Sequence, residues 1–146
     1  MDHSPAYILA KYFIDEGLLS DPTGGSAWPV FVGTLPDGDE VADNAAACID
    51  TTPVKDGRLM VGGNIFHFGC QVLLRSVEYN AGYSKIDALR NAIEAVDGDT
   101  VTIAGTTYQM DNITIATGIV VIGQEEKSSK RREMFSLNSL ITLKEI

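Results

Sequence analysis

Histidine and cysteine are scarce in this 146-residue chain, with two of each. A histidine-based triad or a multi-histidine metal centre has only His3 and His67 to draw on. His67 and Cys70 stand three residues apart in a strand-like run, so they point to opposite faces and do not share a metal. Cys48 and Cys70 both lie inside apolar runs and read as small buried hydrophobes with reduced thiols. No apolar run approaches the ~20 residues that span a bilayer, so no membrane partner is expected. Positive charge is short too: 11 Lys and Arg against 20 Asp and Glu leave a net charge of -9. That balance argues against wrapping nucleic acid, whose backbone is bound by Lys and Arg displacing counterions. Dinucleotide-binding glycines, a phosphate loop, a Gly-x-Ser-x-Gly elbow and a His-Glu-x-x-His helix are all missing. The first residues, Met1 to Pro5, lack the basic and apolar regions of a signal peptide, so a cytoplasmic protein is expected. The chemistry-bearing residues thus point to no enzyme and no cofactor.

What is present is enough apolar sequence for one domain over residues 1–146, which at this length buries about two-thirds of the surface of its unfolded chain. Ser4-Pro5 is a helix start, and apolar residues at three- and four-residue spacing carry that helix to Gly17. Trp28 to Gly33 reads as a short edge strand because Pro29 cannot donate to a ladder, and Ala45 to Thr51 reads as a second strand ending near Thr52-Pro53. The stretch from Arg58 to Arg75 organises the rest as a hairpin entering a buried strand. Its even positions Phe66, Phe68, Cys70, Val72 and Leu74 are apolar and its odd positions are mixed, which predicts one core face and one semi-polar face. Gly69 in mid-strand predicts a bulge or a close backbone approach. Tyr83, Ile86, Leu89, Ile93 and Val96 predict a helix over about 82–96, packed on that even face and stopped by Gly98. Strands follow at 100–105, 107–109, 112–123 and 134–144, the last two pairing antiparallel. The expected fold is α+β: a mixed, largely antiparallel sheet with two main helices packed on it.

Two charged segments invite functional readings. Asp37, Asp39, Glu40 and Asp43 crowd one loop, but they lack the Asp-x-Asp-x-Asp-Gly spacing and the later bidentate Glu of a calcium loop, so a solvated loop is the plainer reading. Lys127, Lys130, Arg131 and Arg132 form the only basic cluster. It reads as a solvated connection, or as an arm that meets an acidic surface on an identical neighbour or another protein; nucleic-acid contact is the least favoured of the three. Asp97 and Asp99 flank Gly98 and are explained by a turn.

The order of motifs carries a resemblance. Gly57-Arg58, a hydrophobic pair, Gly62-Gly63, His67-x-Gly69-x-Gln71-Val72-x-x-Arg75 and a Tyr-containing linker into an amphipathic helix resemble the minor capsid or tail terminator family of long-tailed bacteriophages. The preceding N-terminal helix, Trp-Pro-Val-Phe-Val strand, Pro-Asp-Gly acidic loop and Ala-Cys-Ile-Asp-Thr-Thr strand extend the likeness over most of residues 4–96. The resemblance implies an α/β fold and a hexameric ring that caps the tail tube, ends its polymerisation and meets head-completion proteins, with double-stranded DNA passing through without tight binding. It implies a structural virion protein of the tail or neck, assembled in the host cytoplasm. The alternatives are a head-side joining or minor capsid protein, a non-viral protein-binding adaptor, and a small hydrolase with acidic catalysts. A ring needs two different complementary patches per subunit. The expected contact residues are Lys127, Lys130, Arg131 and Arg132 against Asp37, Asp39, Glu40, Asp43 or the 97–99 turn, with Arg75 on the mixed strand face. The chain departs from the family pattern at Leu73-Leu74-Arg75, where a more polar alternation is expected, and this predicts a face covered by a neighbouring subunit.

Overall fold

Ser4 and Pro5 start the first helix as a side-chain cap and a preset first φ: the Ser4 hydroxyl accepts from the Tyr7 amide at 3.2 Å, and α1 runs over Pro5–Asp15. The computed structural model describes residues 1–38, 40–58, 64–124 and 131–146. A short 3-10 turn at Pro22–Gly24 leads to β1 (Val30–Val32), β2 (Ala45–Arg58), β3 (Asn64–Ser76), α2 (Tyr79–Glu94), β4 (Asp99–Ile103), β5 (Thr106–Gln124) and β6 (Glu133–Glu145). The six strands form one sheet in the order β1-β2-β3-β6-β5-β4, antiparallel throughout except for the parallel pair β1 and β2. This is the expected α+β fold, with two helices on a mixed, largely antiparallel sheet.

The period-two pattern of β3 sets which face is buried. Cys70, Val72 and Leu74 are fully buried and pair across β6 with Ser139, Leu137 and Phe135. Ile8, Leu9 and Phe13 of α1 and Ile86, Leu89 and Ile93 of α2 join them in one core. Each such side chain contributes about 1.5–3 kcal/mol on leaving water. The Ala6 amide also donates to the Asp50 carboxylate at 2.9 Å, which fastens the start of α1 to β2.

Several boundaries differ from expectation for identifiable reasons. β2 does not end at Thr52-Pro53, because a register shift between Thr51 and Val54 absorbs the proline and pairing resumes at Val54 and His67. Gly69 sits opposite Thr51 beside that shift, and a Cβ there would lie 2.2 Å from the Thr51 hydroxyl and 2.8 Å from the Thr52 carbonyl. The close approach that the isolated glycine predicts is therefore present. The segments 107–109 and 112–123 join into the single strand β5 through a further shift between Met110 and Asn112. α2 begins at Tyr79, earlier than the apolar spacing indicates. Its buried stripe is Gly82, Ile86, Leu89 and Ile93, and Tyr83, expected in the core, is 44% exposed. Gly82 lets the helix rest on Phe135, where a Cβ would come within 2.5 Å of the ring, and Tyr83 is left on the outer flank.

Candidate functional site

The helices cover one sheet face, and a flap formed by residues 34–38 and 40–44 covers the end of the other. Ala45, Ala47 and Arg75 project onto this outer face and are nevertheless fully buried. Arg75 donates from Nη1 to the Pro36 carbonyl and from Nη2 to the Ala42 carbonyl. Arg132, at the entrance to β6, is equally buried and donates to the Gly38 carbonyl, to Val41 O at 3.3 Å and to Ala42 O at 3.4 Å. Its Nη1 also lies 3.5 Å from the Asp43 carboxylate. The Asn44 side chain accepts from the Val77 amide at 3.3 Å, fixing the end of the flap to the β3–α2 connection. Two guanidinium groups under a row of carbonyls fit a known pattern, since buried arginines persist only where acceptors replace their water.

This geometry revises two expected contact residues. Arg75 and Arg132 face their own flap, and with no exposed surface they are not available to a neighbouring subunit. The pairing of a basic segment with the acidic loop does exist, but Arg132 and Asp43 make it within one chain. Leu73, by contrast, stays half-buried on the outer face, so the flap covers the Arg75 end of the Leu73-Leu74-Arg75 run and not all of it. Asp37 and Glu40 are exposed on the flap, and Arg131 is exposed beside it. Asp39, Lys127 and Lys130 lie outside the described residues. Asp97 and Asp99 form the expected turn, with the Asp97 amide bonded to the Asp99 carboxylate at 3.0 Å.

Next to the flap lies a feature the sequence reading did not assign. Tyr79 and Tyr83 pack on Phe135 with ring centroids 5.4 and 6.4 Å away, and Val121 pairs with Phe135 from the β5 side. Tyr79, Tyr83 and Val121, together with Val77, Val120 and Ile122, are each 42–55% exposed. Tyr79, Tyr83 and Val121 gather around Phe135 on the helix side, and exposed tyrosines beside a branched aliphatic have the composition of a protein-contact surface, whereas Val120 lies in the row of Leu73 and Ala47 on the other face. The signal was legible as an uncharged run, Asn112 to Gln124, in an acidic chain.

The remaining polar chemistry is structural. His67 meets the Thr142 hydroxyl at 2.7 Å and His3 meets the Tyr108 hydroxyl at 2.8 Å, so each ring has a partner from a distant strand. Both cysteines are free and buried, and the neighbouring Cys70 thiol, followed by burial, holds the Cys48 thiol well above its usual range. Lys85 lies 5.4 Å from the Trp28 ring centroid, and burial lowers its ammonium pKa. Among the described residues, no three of His, Cys, Asp and Glu gather as metal ligands.

Fold and site together define an acidic α+β protein with a doubly clamped flap and exposed apolar side chains at one end of its sheet. No protein-family model matches the chain, and no curated protein matches it.

Proposed function

We propose that the chain is a structural subunit that closes into a homo-oligomeric ring, hexameric by its likeness to tail terminators. The ring caps a phage tail tube, stops its growth and offers its other side to head-completion proteins. The observation that carries this reading is the exposed apolar patch of Tyr79, Tyr83 and Val121 around Phe135 on a chain of net charge -9. An acidic protein repels its own copies over most of its surface and associates where charge is absent. The motif order over residues 4–96 supplies the likeness to the tail family. The rigid flap, held by Arg75 and Arg132, supports the reading by giving each subunit a fixed acidic face with Asp37 and Glu40 outward. Acidity along a central channel lets double-stranded DNA pass without being held.

The test is to mix the protein with purified tail tubes and image their ends by negative-stain electron microscopy. Caps at one end, with arrest of further tube growth, are expected. Uncapped tubes that keep growing reject tail termination and transfer the proposal to a head-side joining protein.

A further inference from the structure

Of the two strands that end the sheet, β1 is three residues long and its outer side is occupied, since the Val30 amide donates to the Ser20 carbonyl at 3.0 Å. β4 differs. Thr107, opposite Thr102, turns its carbonyl toward β6, where it accepts from the Ile146 amide at 2.9 Å. Thr102 and Thr107 therefore form a pair without mutual backbone hydrogen bonds, and so do Thr100 and Gln109 two residues along. The N–H and C=O groups of Thr100 and Thr102 point away from β5, and among the described residues no strand pairs with that edge. Both threonines are exposed, and the register with β5 runs unbroken from Asp99 to Ile103. Natural edges are usually blunted by lysine, proline or bulges, and β4 carries none of them.

Beside this edge the surface is hollow. A cavity of about 500 Å³ is bounded by Thr102 and Ile103 of β4, by Ala10 and Ile14 of α1, and by Val30 and Val32 of β1. Val101 and Ile103 point into the core, so residues of an added strand that stand opposite them point the same way, toward α1 and this cavity. The surroundings are acidic. Asp21 lines the cavity, and Lys11, which also lines it, is already bonded to Asp15. Asp99 and Glu16 both lie near Tyr12, whose phenol is held above its ordinary pKa by burial first and by these two carboxylates after it.

We infer that β4 is a docking edge for an extended segment of a partner protein, with aliphatic residues at alternate positions and a lysine or arginine where the segment passes Asp99. Main-chain hydrogen bonds to Thr100 and Thr102 supply the attachment, and the cavity and the carboxylates select the side chains. Charge decides the occupant: a second copy, of net charge -9, is repelled from this rim, whereas a basic segment is drawn to it. The inference does not rest on the ring reading, because this edge lies at the Thr106 end of β5 and the tyrosine patch lies at the Val121 end.

The probe is a fluorescein-labelled peptide with capped ends, Lys-Thr-Val-Thr-Val-Thr-Lys, whose pattern is the same in both directions along the edge. Titrated with the full chain at low salt and followed by fluorescence anisotropy, it is expected to bind with a Kd of about 100 µM or below, and its counterpart with Glu for Lys at least about tenfold more weakly. Thr102→Pro removes one outward N–H and no ladder bond, so it is expected to weaken binding at least about tenfold with a melting curve near that of the parent. In the parent chain, hydrogen exchange read by NMR gives a measure that needs no variant. Saturating peptide is expected to slow the Thr100 and Thr102 amides and to leave Val101 and Ile103, already bonded to β5, nearly unchanged. Absence of binding up to about 1 mM overturns the inference, as do equal binding of the two peptides, undiminished binding by Thr102→Pro, or unchanged exchange at Thr100 and Thr102. Slowing of those two amides with rising protein concentration and no peptide also overturns it, by assigning the edge to a second copy.

Discussion

Replacing Arg75 by Met keeps the aliphatic stem that packs beside Ala45 and Ala47 and deletes the guanidinium that grips the flap. Among the described residues, the charge-assisted hydrogen bonds to Pro36 O and Ala42 O are lost. At about 1.5–3 kcal/mol each they sum to roughly 3–6 kcal/mol, but the flap is at the surface and its freed carbonyls regain water, which leaves about 2–4 kcal/mol. For a chain of this size that lowers Tm by about 6–12 °C, at roughly 3 °C per kcal/mol. Arg132→Met acts on the same flap, and the Ala42 carbonyl accepts from both arginines. Once one arginine is gone, the flap is partly released and the second has less left to hold. The double variant is therefore expected to lose less than the sum of the singles, with a coupling of at least about 1 kcal/mol. Urea unfolding gives the three free energies, and amide hydrogen exchange over 34–44 shows whether the flap opens while the sheet stays protected. A loss below about 0.5 kcal/mol for Arg75→Met, or additivity within about 0.3 kcal/mol, refutes the shared clamp.

Other consequences are read from single positions. Gly69→Ala drives a Cβ toward the Thr52 carbonyl, and is expected to cost about 2–4 kcal/mol in urea titrations, because backbone cannot rotate aside as the Thr51 hydroxyl can. Ala104 has φ +49 in the two-residue turn joining β4 and β5, so Ala104→Asn is expected to add about 0.5–1 kcal/mol, seen as a higher Tm. Cys48 and Tyr12 hold their protons more firmly in the folded chain than their ordinary values of 9.0 and 10.0, through the Cys70 contact and burial respectively. The unfolded chain ionises first, so the contribution of these two groups is level below about pH 8 and is lost as pH rises past the ordinary thiol and phenol values, while Lys85, whose ammonium pKa burial lowers, works against that loss; urea midpoints from pH 7 to 11 measure the net change. A thiol reagent at pH 8 is expected to label both cysteines only after unfolding, and labelling of the native chain rejects their burial.

How much of this was legible in the sequence follows from the range of each interaction. The Ser4-Pro5 cap, the even-position core face of β3, the glycine of close approach at position 69 and the antiparallel pairing of β5 with β6 all express local rules: spacing, side-chain length and turn chemistry. Those rules also gave the α+β class. Pro53 inside β2 and the merging of two short runs into β5 were missed because a bulge is decided by the partner strand and leaves no local mark beyond a proline or a glycine.

The candidate site divides in the same way. The sequence by itself determined that the chain is acidic, that basic residues cluster only before β6, and that long stretches carry no charge. Only the tertiary structure decided that Arg75 and Arg132, 57 positions apart in the chain, turn inward onto one flap. A charge shows its sign in the sequence. Its burial depends on which distant carbonyls arrive to replace its water, and that is settled by the order in which the strands pair.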